Sequence, residues 1–590
     1  MESISYMAEG SAEIRALARK IALLNAVSHG GKADSKAVVG RMMAEHSDLR
    51  GQSKLISQLV IDVVSELNNL SLDEQKSILD TEFSDSYEAE LDRKRQQSER
   101  DSEKALELPE LPNAKIGAVI TRFPPEPNGF MHIGHAKAAI IGSEYAKMYN
   151  GKFILRFDDT NPTAEKKEYY QPFLDAFDWL KIKPDSIRNS SDDMDRFYDL
   201  AALMIQNGKA YVCMCTKEEI REKRSRGEVC VHRSRPVEES LSLWHKMIQK
   251  EVQKSDATLR FKGDMSALNT TMRDPVLFRI VLEPHPLLGS KYSVWPTYDF
   301  AGPIEDSLDG VTHAMRSKEY ELRDEQYHAI LQSLGLREPV IIEFSRLNLQ
   351  NTTVHKRTLR PLIAERLVQG WDDPRLPTIS ALRRRGFLPE SIREFILRMG
   401  ISKVESQPTW DLLESINRKL LDPIAKRFFF VPDPIKVRVS TAPSMIAKLN
   451  YHPERADYGS REIKLGDTFL VPLSDIKNLG RGSTFRLIEA YNVTISDIRE
   501  NLVLVDYAGE DRIPDLPKLQ WVNEEAGFPL TVEVPGPLLI DDKFNPDSLK
   551  TVHGVVEQAA AQLGIGEIVQ LVRFGFCRKD TDQLMIRAHS

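Results

Sequence analysis

The run Arg122-Phe123-Pro124-Pro125-Glu126-Pro127-Asn128-Gly129-Phe130-Met131-His132-Ile133-Gly134-His135 sets two histidines around a glycine at the start of a helical pattern. A helix start carries unpaired N–H groups and the positive end of the helix dipole, so phosphates settle there. His132 and His135 add side-chain donors that can follow a triphosphate as charge builds on it. Gly134 allows a nucleotide to approach the backbone closely. Together these residues point to displacement at a nucleotide phosphate. A second cluster is Cys213-x-Cys215, fourteen residues, then Cys230-x-His232. Its spacing suits a tetrahedral zinc ion; four protein ligands with no open position make such a site structural. Reduced cysteines in a small core are the competing reading. Cys577 stands apart and receives no role.

The elements that must position these residues follow from periodicity. Ile116–Ile120 reads as a strand, Pro124–Gly129 as a loop, Ile133–Tyr149 as a helix stopped by Asn150-Gly151, and Lys152–Phe157 as a second strand. Strand, loop, helix and strand make a βαβ unit, whose nucleotide sites lie at strand C-termini. Upstream, Ala18–Val27 and Leu55–Leu67 carry helical spacing, and Ser71-Leu72-Asp73-Glu74 is a capping box. Residues 84–108 are highly charged and read as an exposed helix or a linker. Residues 373–430 hold helical patterns such as Pro389–Ile396. From about 433, runs such as Thr468–Val471, Leu502–Val505 and Leu530–Val534 recur between turn residues and predict an all-β region.

The 590 residues are 41% hydrophobic and 28% charged, the profile of a multidomain globular chain. No apolar run approaches the roughly 18–20 residues of a membrane span, and the N-terminus lacks a secretory pattern. Four cysteines fit a reducing cytoplasm. A net charge of −7 leaves nucleic-acid binding to local basic surfaces.

The block around His132 and His135 resembles the HIGH motif of class I aminoacyl-tRNA synthetases, in the form used by the glutamyl/glutaminyl branch. The likeness continues through Leu155–Pro162, Trp295–Phe300, Phe344–Leu349, Gly370–Thr378 and Leu382–Gly386. The N-terminal helices and Ile416–Pro423 look most like archaeal-type glutamyl-tRNA synthetases. Thr353–Arg357 takes the place of the family's KMSKS motif. It departs from that motif at His355, where a serine is usual, and at Thr358, where a lysine is usual.

The resemblance implies a Rossmann-type parallel-sheet catalytic domain with an inserted acceptor-binding domain, helical domains and C-terminal β-barrels. The expected divisions are an N-terminal helical part (1–108), a first catalytic half (109–212), the insert (213–316), a second catalytic half (317–372), a helical tRNA-stem-contact part (373–432) and an anticodon-binding β-region (433–590). It implies His132, His135 and Lys356 as catalytic groups. For ATP it implies Pro124, Glu126, Asn128, Gly129, Gly134, Ser317, Arg346, Leu347 and Arg357 beside those three, and Mg2+ with the nucleotide. It assigns Arg122, Asp158 and Tyr298 to the amino-acid pocket, and it implies a structural zinc on Cys213, Cys215, Cys230 and His232.

Arg316 decides the amino acid. Glutaminyl-type enzymes carry a small uncharged residue at this place, whereas a guanidinium matches the γ-carboxylate of L-glutamate with two parallel hydrogen bonds. Glutamine would leave the buried cation without a counter-charge. A carboxylate of the protein as Arg316's partner is the competing reading. The expected activity is glutamate attachment to tRNA(Glu) through a glutamyl-adenylate, with tRNA(Gln) open as a second acceptor. Arg375, Arg383, Arg384 and Arg385, with Lys356 and Arg357, are expected to line an RNA phosphate track. The N-terminal helices are open to contact with tRNA or another translation protein. A glutaminyl-tRNA synthetase, a small-molecule nucleotidyltransferase and a catalytically silent tRNA-binding scaffold are the alternatives.

Overall fold

The computed structural model describes residues 2–28, 30–46, 53–83, 106–252, 257–405 and 407–590. Most of the charged stretch 84–108 lies outside them. The chain forms two compact units, Met1–Glu107 and Leu108–Ser590. The first holds helices Glu2–Ser28, Ser35–Glu45, Ser53–Leu67 and Leu72–Glu82. Ala22, Leu23, Val38, Met42, Ile56, Val60 and Leu79 are fully buried among them. The Ser71 and Glu74 capping box opens the last helix as expected. Buried Gln75 donates to the carbonyls of Gly31 and Leu67, tying two helix connections together.

In the second unit, β1 (Ile120–Phe123), β2 (Lys152–Phe157) and β3 (Ser186–Asn189) form a parallel sheet in the order β1-β2-β3. Helix Ile133–Met148 makes the crossover from β1 to β2. The first strand starts four residues later than the apolar run predicts. Gly117, at φ +80°, turns the chain, and Ile116 is left 68% exposed. The strand instead buries Thr121 and Arg122, polar residues that the hydrophobic pattern rejects. Thr121 is satisfied by the Gly142 carbonyl at 2.8 Å and Arg122 by Asp306, 184 residues away. Gly151 must be glycine, since a Cβ there would lie 2.0 Å from the Val119 carbonyl oxygen.

An antiparallel sheet of β4 (Ala210–Cys213), β5 (Thr258–Phe261), β6 (Val276–Ile280) and β7 (Val294–Pro296) interrupts the parallel architecture. It packs on Phe197, Trp244, Phe278, Trp295 and Phe300. The chain then returns to β8 (His313–Ser317) and β9 (Val340–Phe344), which pair in parallel. The Thr312 N–H donates to the Ile120 carbonyl (2.9 Å), which sets β8 beside β1. An insert boundary at 316 would cut β8; the antiparallel sheet ends at Pro296. Chain order thus reverses between β1 and β8, the place where parallel sheets open a crevice at their strand C-termini.

Helices Lys356–Ala364, Ile379–Arg385, Pro389–Met399 and Trp410–Leu421 follow. Two seven-stranded sheets complete the chain. The edge strands of one, Arg427–Phe428 and Phe430–Pro432, are separated by Phe429 alone. The edges of the other, Lys518–Leu519 and Val522–Asn523, are two residues apart. A sheet whose two edges are neighbours in sequence must curl until they meet, the geometry of a barrel. The β-region therefore begins at Arg427 rather than 433.

Candidate active site

His132 caps helix Ile133–Met148. Its Nδ1 accepts the His135 N–H at 3.2 Å, and the two imidazole rings stack with centroids 3.6 Å apart. The His135 Nδ1 lies 3.5 Å from the His132 N–H. With both Nδ1 atoms facing donors, the proton of each neutral ring sits on Nε2. Burial, and then the nearby Lys356, press the His132 pKa down to about 3; burial likewise lowers His135, followed by His132 and Lys356. Both rings are uncharged N–H donors at neutral pH. A Cβ at Gly134 would lie 3.1 Å from the His132 ring and 3.4 Å from the Leu347 carbonyl oxygen. The glycine therefore makes room for His132 itself as well as for a nucleotide.

Lys356 opens its own helix. A Cβ at Gly129 would meet the Lys356 Cε at 3.0 Å, so that glycine lets the lysine cross the HIGH loop. Burial lowers the Lys356 pKa to about 8. A cleft of about 400 Å³ gathers Pro124, His132, Gly134, His135, Ser317, Arg346, Leu347 and Lys356 with Arg122, Tyr298 and Arg316. Glu126 and Asp158 line an adjoining chamber that shares Pro124, His135, Tyr298 and Lys356 with the cleft. Asn128 holds Glu126 from within the loop, and its carbonyl accepts Arg360 at 2.9 Å. Arg357 is exposed and lines neither space. Arg346 pairs with Glu319.

At the Arg122 end of the cleft, the Nε and Nη2 of Arg122 donate to the two Asp306 oxygens, both at 2.9 Å, and its Nη1 donates to the Met315 carbonyl. Asp158 accepts from Arg156 (3.1 Å) and Ser190 (3.2 Å), both on Oδ1. Arg316 is 5% exposed. Its guanidinium lies 6.0, 5.2 and 5.2 Å from the rings of Tyr298, Tyr320 and Tyr327. Its Nη1 donates to Asp324 at 3.0 Å, while the buried Nε has no hydrogen-bond partner. Asp324 thus occupies one corner of the guanidinium. The Nε, half of the edge with which Arg122 grips Asp306, makes no hydrogen bond within the protein.

Cys213, Cys215, Cys230 and His232 do converge, with their ligand atoms within 4.8 Å of one another. The sulfurs of Cys213 and Cys215 lie 3.5 and 3.6 Å from that of Cys230, and His232 Nδ1 lies 3.2–3.8 Å from all three. Tetrahedral zinc, with Zn–S about 2.3 Å and Zn–N about 2.0 Å, asks for S···S near 3.8 Å and S···N near 3.5 Å. The donors fit that ion. The expected arginine track does not form. Arg375 is buried and bidentate on Asp373, Arg384 is on Asp580, and Arg385 is buried on Glu414 and the Ala588 carbonyl. Of that group Arg383 is exposed. Runs of arginine do not reveal acidic partners about 30 to 200 residues away. Asp306, Arg156 and the buried Lys137, whose ammonium donates to the Ser345 carbonyl at 2.8 Å, escaped the sequence reading for the same reason.

The architecture and cleft are those of a class I aminoacyl-tRNA synthetase. The model "tRNA synthetases class I (E and Q), catalytic domain" matches residues 118–423, and two anti-codon binding domain models of that class match 425–507 and 518–580. The chain belongs to this family, the E and Q class I tRNA synthetases. A glutamate–tRNA ligase of Nitrosopumilus maritimus is 42% identical, over 98% of this chain and 99% of that protein. One of Cenarchaeum symbiosum is 41% identical over 98% and 100%, and one of Pyrococcus abyssi 41% over 96% and 97%. No helix among the described residues is long and apolar enough to cross a membrane.

Proposed function

We propose that this chain is a glutamate–tRNA ligase that joins L-glutamate to the 3′ end of tRNA(Glu) with ATP. The observation that carries the choice of amino acid is the free Nε/Nη2 edge of Arg316, a buried cation held by three tyrosine rings and only one of whose corners is paired. An unpaired buried guanidinium edge is costly; a γ-carboxylate offers it two acceptor oxygens and a charge, whereas an amide offers one oxygen, no charge and an NH2 that opposes the second donor. Asp158 offers its second oxygen to the α-ammonium, and the Tyr298 hydroxyl borders the same space.

The reaction has two steps. An α-carboxylate oxygen of glutamate attacks the α-phosphorus of ATP, and the bond to the β-phosphate oxygen breaks, releasing pyrophosphate. His132 and His135, as neutral Nε2–H donors, and Lys356, as a cation, stabilise the negative charge that gathers on the phosphates. Mg2+ enters with the nucleotide. A ribose hydroxyl of the tRNA terminal adenosine then attacks the glutamyl carbonyl, and AMP leaves. No side chain serves as covalent nucleophile; positioning and charge supply the acceleration. The adjoining chamber, with Arg279 on its wall, suits that terminal nucleotide. Zinc on the Cys/His set would cross-link the end of β4 to residues 230–232 and take no part in the chemistry.

The insert receives the acceptor end, the helices from 373 the inner tRNA corner, and the two β-sheets the anticodon. Arg427, Lys448 and Gln570 line a cleft against these sheets, and their side-chain donors suit a base or phosphate acceptor. The test is matched charging of glutamate and glutamine tRNAs with labelled glutamate or glutamine. Glutamate attachment to tRNA(Glu) supports the proposal, and glutamate on tRNA(Gln) as well extends it to a non-discriminating enzyme. Preferential glutamine attachment overturns it.

A further inference from the structure

Behind the amino-acid end stands a carboxylate that no motif contains. Asp306 lies in helix Tyr298–Leu308 and is fully buried. Its Oδ1 and Oδ2 take the Nε and Nη2 of Arg122 at 2.9 Å each, its Oδ1 also faces Arg156 Nη1 at 3.0 Å, and its Oδ2 accepts the Tyr327 hydroxyl at 2.9 Å. Each partner continues to a residue that faces substrate. Arg156 donates to Asp158 at 3.1 Å. The ring of Tyr327 lies 5.2 Å from the Arg316 guanidinium. Arg122 lines the cleft itself.

We infer that Asp306 is a positioning residue for the amino-acid substrate: one buried carboxylate fixes Arg122, Asp158 and Arg316 together, through Arg122 directly, through Arg156 and through Tyr327. This rests on the reading of the cleft as a glutamate site. The charge balance gives the mechanism. Burial works against the carboxylate, yet Arg122 and Arg156 hold it ionised, below the usual carboxyl range. Neutralising it leaves two buried guanidiniums short of one counter-charge. Arg156 then leans on Asp158, its nearest remaining carboxylate along with Asp309, and draws it away from the substrate ammonium. Arg122 loses the anchor of its Nε/Nη2 edge. The nucleotide end is held by other residues, His132, His135 and Lys356, so the effect falls on glutamate and not on ATP.

The test compares the wild-type chain, D306N, Y327F and E305Q in tRNA charging, with KM for glutamate and KM for ATP measured separately and thermal unfolding alongside. Asp306→Asn is expected to raise KM for glutamate roughly tenfold or more, the weight of one charge-assisted contact. Tyr327→Phe keeps the ring beside Arg316 and removes only the hydroxyl, so a smaller rise of a few-fold, about two to five, is expected. KM for ATP should stay within about twofold in both. Glu305, the neighbouring buried carboxyl, has no hydrogen-bond partner on either oxygen, and burial raises its pKa to about 9. Burial holds it toward the neutral form although Arg188 stands 3.9 Å away, so E305Q should leave both constants unchanged. If D306N fails to fold, Y327F decides. A wild-type chain that does not charge glutamate overturns the reading of the cleft and this inference with it. If the wild type charges glutamate while KM for glutamate stays put in Y327F and in folded D306N, the inference alone falls. It falls equally if both KM values and the unfolding temperature move together.

Discussion

At the scale of single residues, the site is built from basic groups kept in different charge states by burial. Lys356 sits half-buried against Gly129, with its pKa lowered to about 8. Its charge is present below that pH and lost as pH rises through it. The profile of kcat/KM for ATP is therefore expected to fall above about pH 8, since that constant reports groups of the free enzyme. K356R should be slower but should lose this descending limb, because a guanidinium stays protonated across the range. A wild-type profile that stays flat to pH 10 would contradict the assignment. His132 is the opposite case. Already neutral down to about pH 3, it cannot produce an inflection near 6.5. The residue types of this set were legible in the sequence. Their partners were not, because a stretch such as Arg383-Arg384-Arg385 looks like a phosphate track until Asp580 and Glu414 are brought across the fold.

At the scale of elements, two connections carry testable weight. The Cys/His set joins the end of β4 to the short helix Val231–Ser234. Purified protein is expected to hold about one zinc per chain, fixed by four ligands with no open position. C230S should lose the metal and unfold at lower temperature, as read by metal analysis and circular dichroism; full metal content in C230S would refute the ligand set. The second connection lies between the Lys356 helix and a hairpin of the β-region. Leu359 and Leu362 bury their side chains with Leu538 and Leu539, and the Leu539 N–H reaches the Asn351 carbonyl at 3.4 Å. Cutting Leu539 back to alanine leaves a cavity behind that helix, at a cost of about 2–5 kcal/mol. The expected result is a several-fold lower kcat at saturating substrates, and an unchanged kcat would show that the helix needs no such support. The helices around Ile133 and Pro389 and the strands at 468, 502 and 530 could be read from periodicity because each buries one face or both. The first strand could not. Its buried Thr121 and Arg122 are stabilised by partners that only the fold supplies.

At the scale of the whole molecule, every residue assigned to ATP, glutamate or zinc falls in the unit Leu108–Ser590, which has its own cores. A chain beginning at Leu108 is expected to fold and to attach glutamate to tRNA; failure of chemistry in a folded truncation would mean that the N-terminal helices act in the reaction. The barrel form of the β-region was implied by the family resemblance and not by alternation along a strand, which says nothing about closure; in the structure Phe429 alone joins the two edges of one sheet.

In the proposed function, the unpaired edge of Arg316 selects glutamate. The measurement that bears on it most directly is matched charging of tRNA(Glu) by the wild type and by Arg316→Ala, with glutamate and glutamine competing. The wild type should favour glutamate, and R316A should lose about 100-fold or more in kcat/KM for glutamate while changing little toward glutamine, a loss of roughly 2.7 kcal/mol in transition-state binding. If R316A still charges glutamate within a few-fold of the wild type, the edge is not the selector and the account of the pocket is wrong.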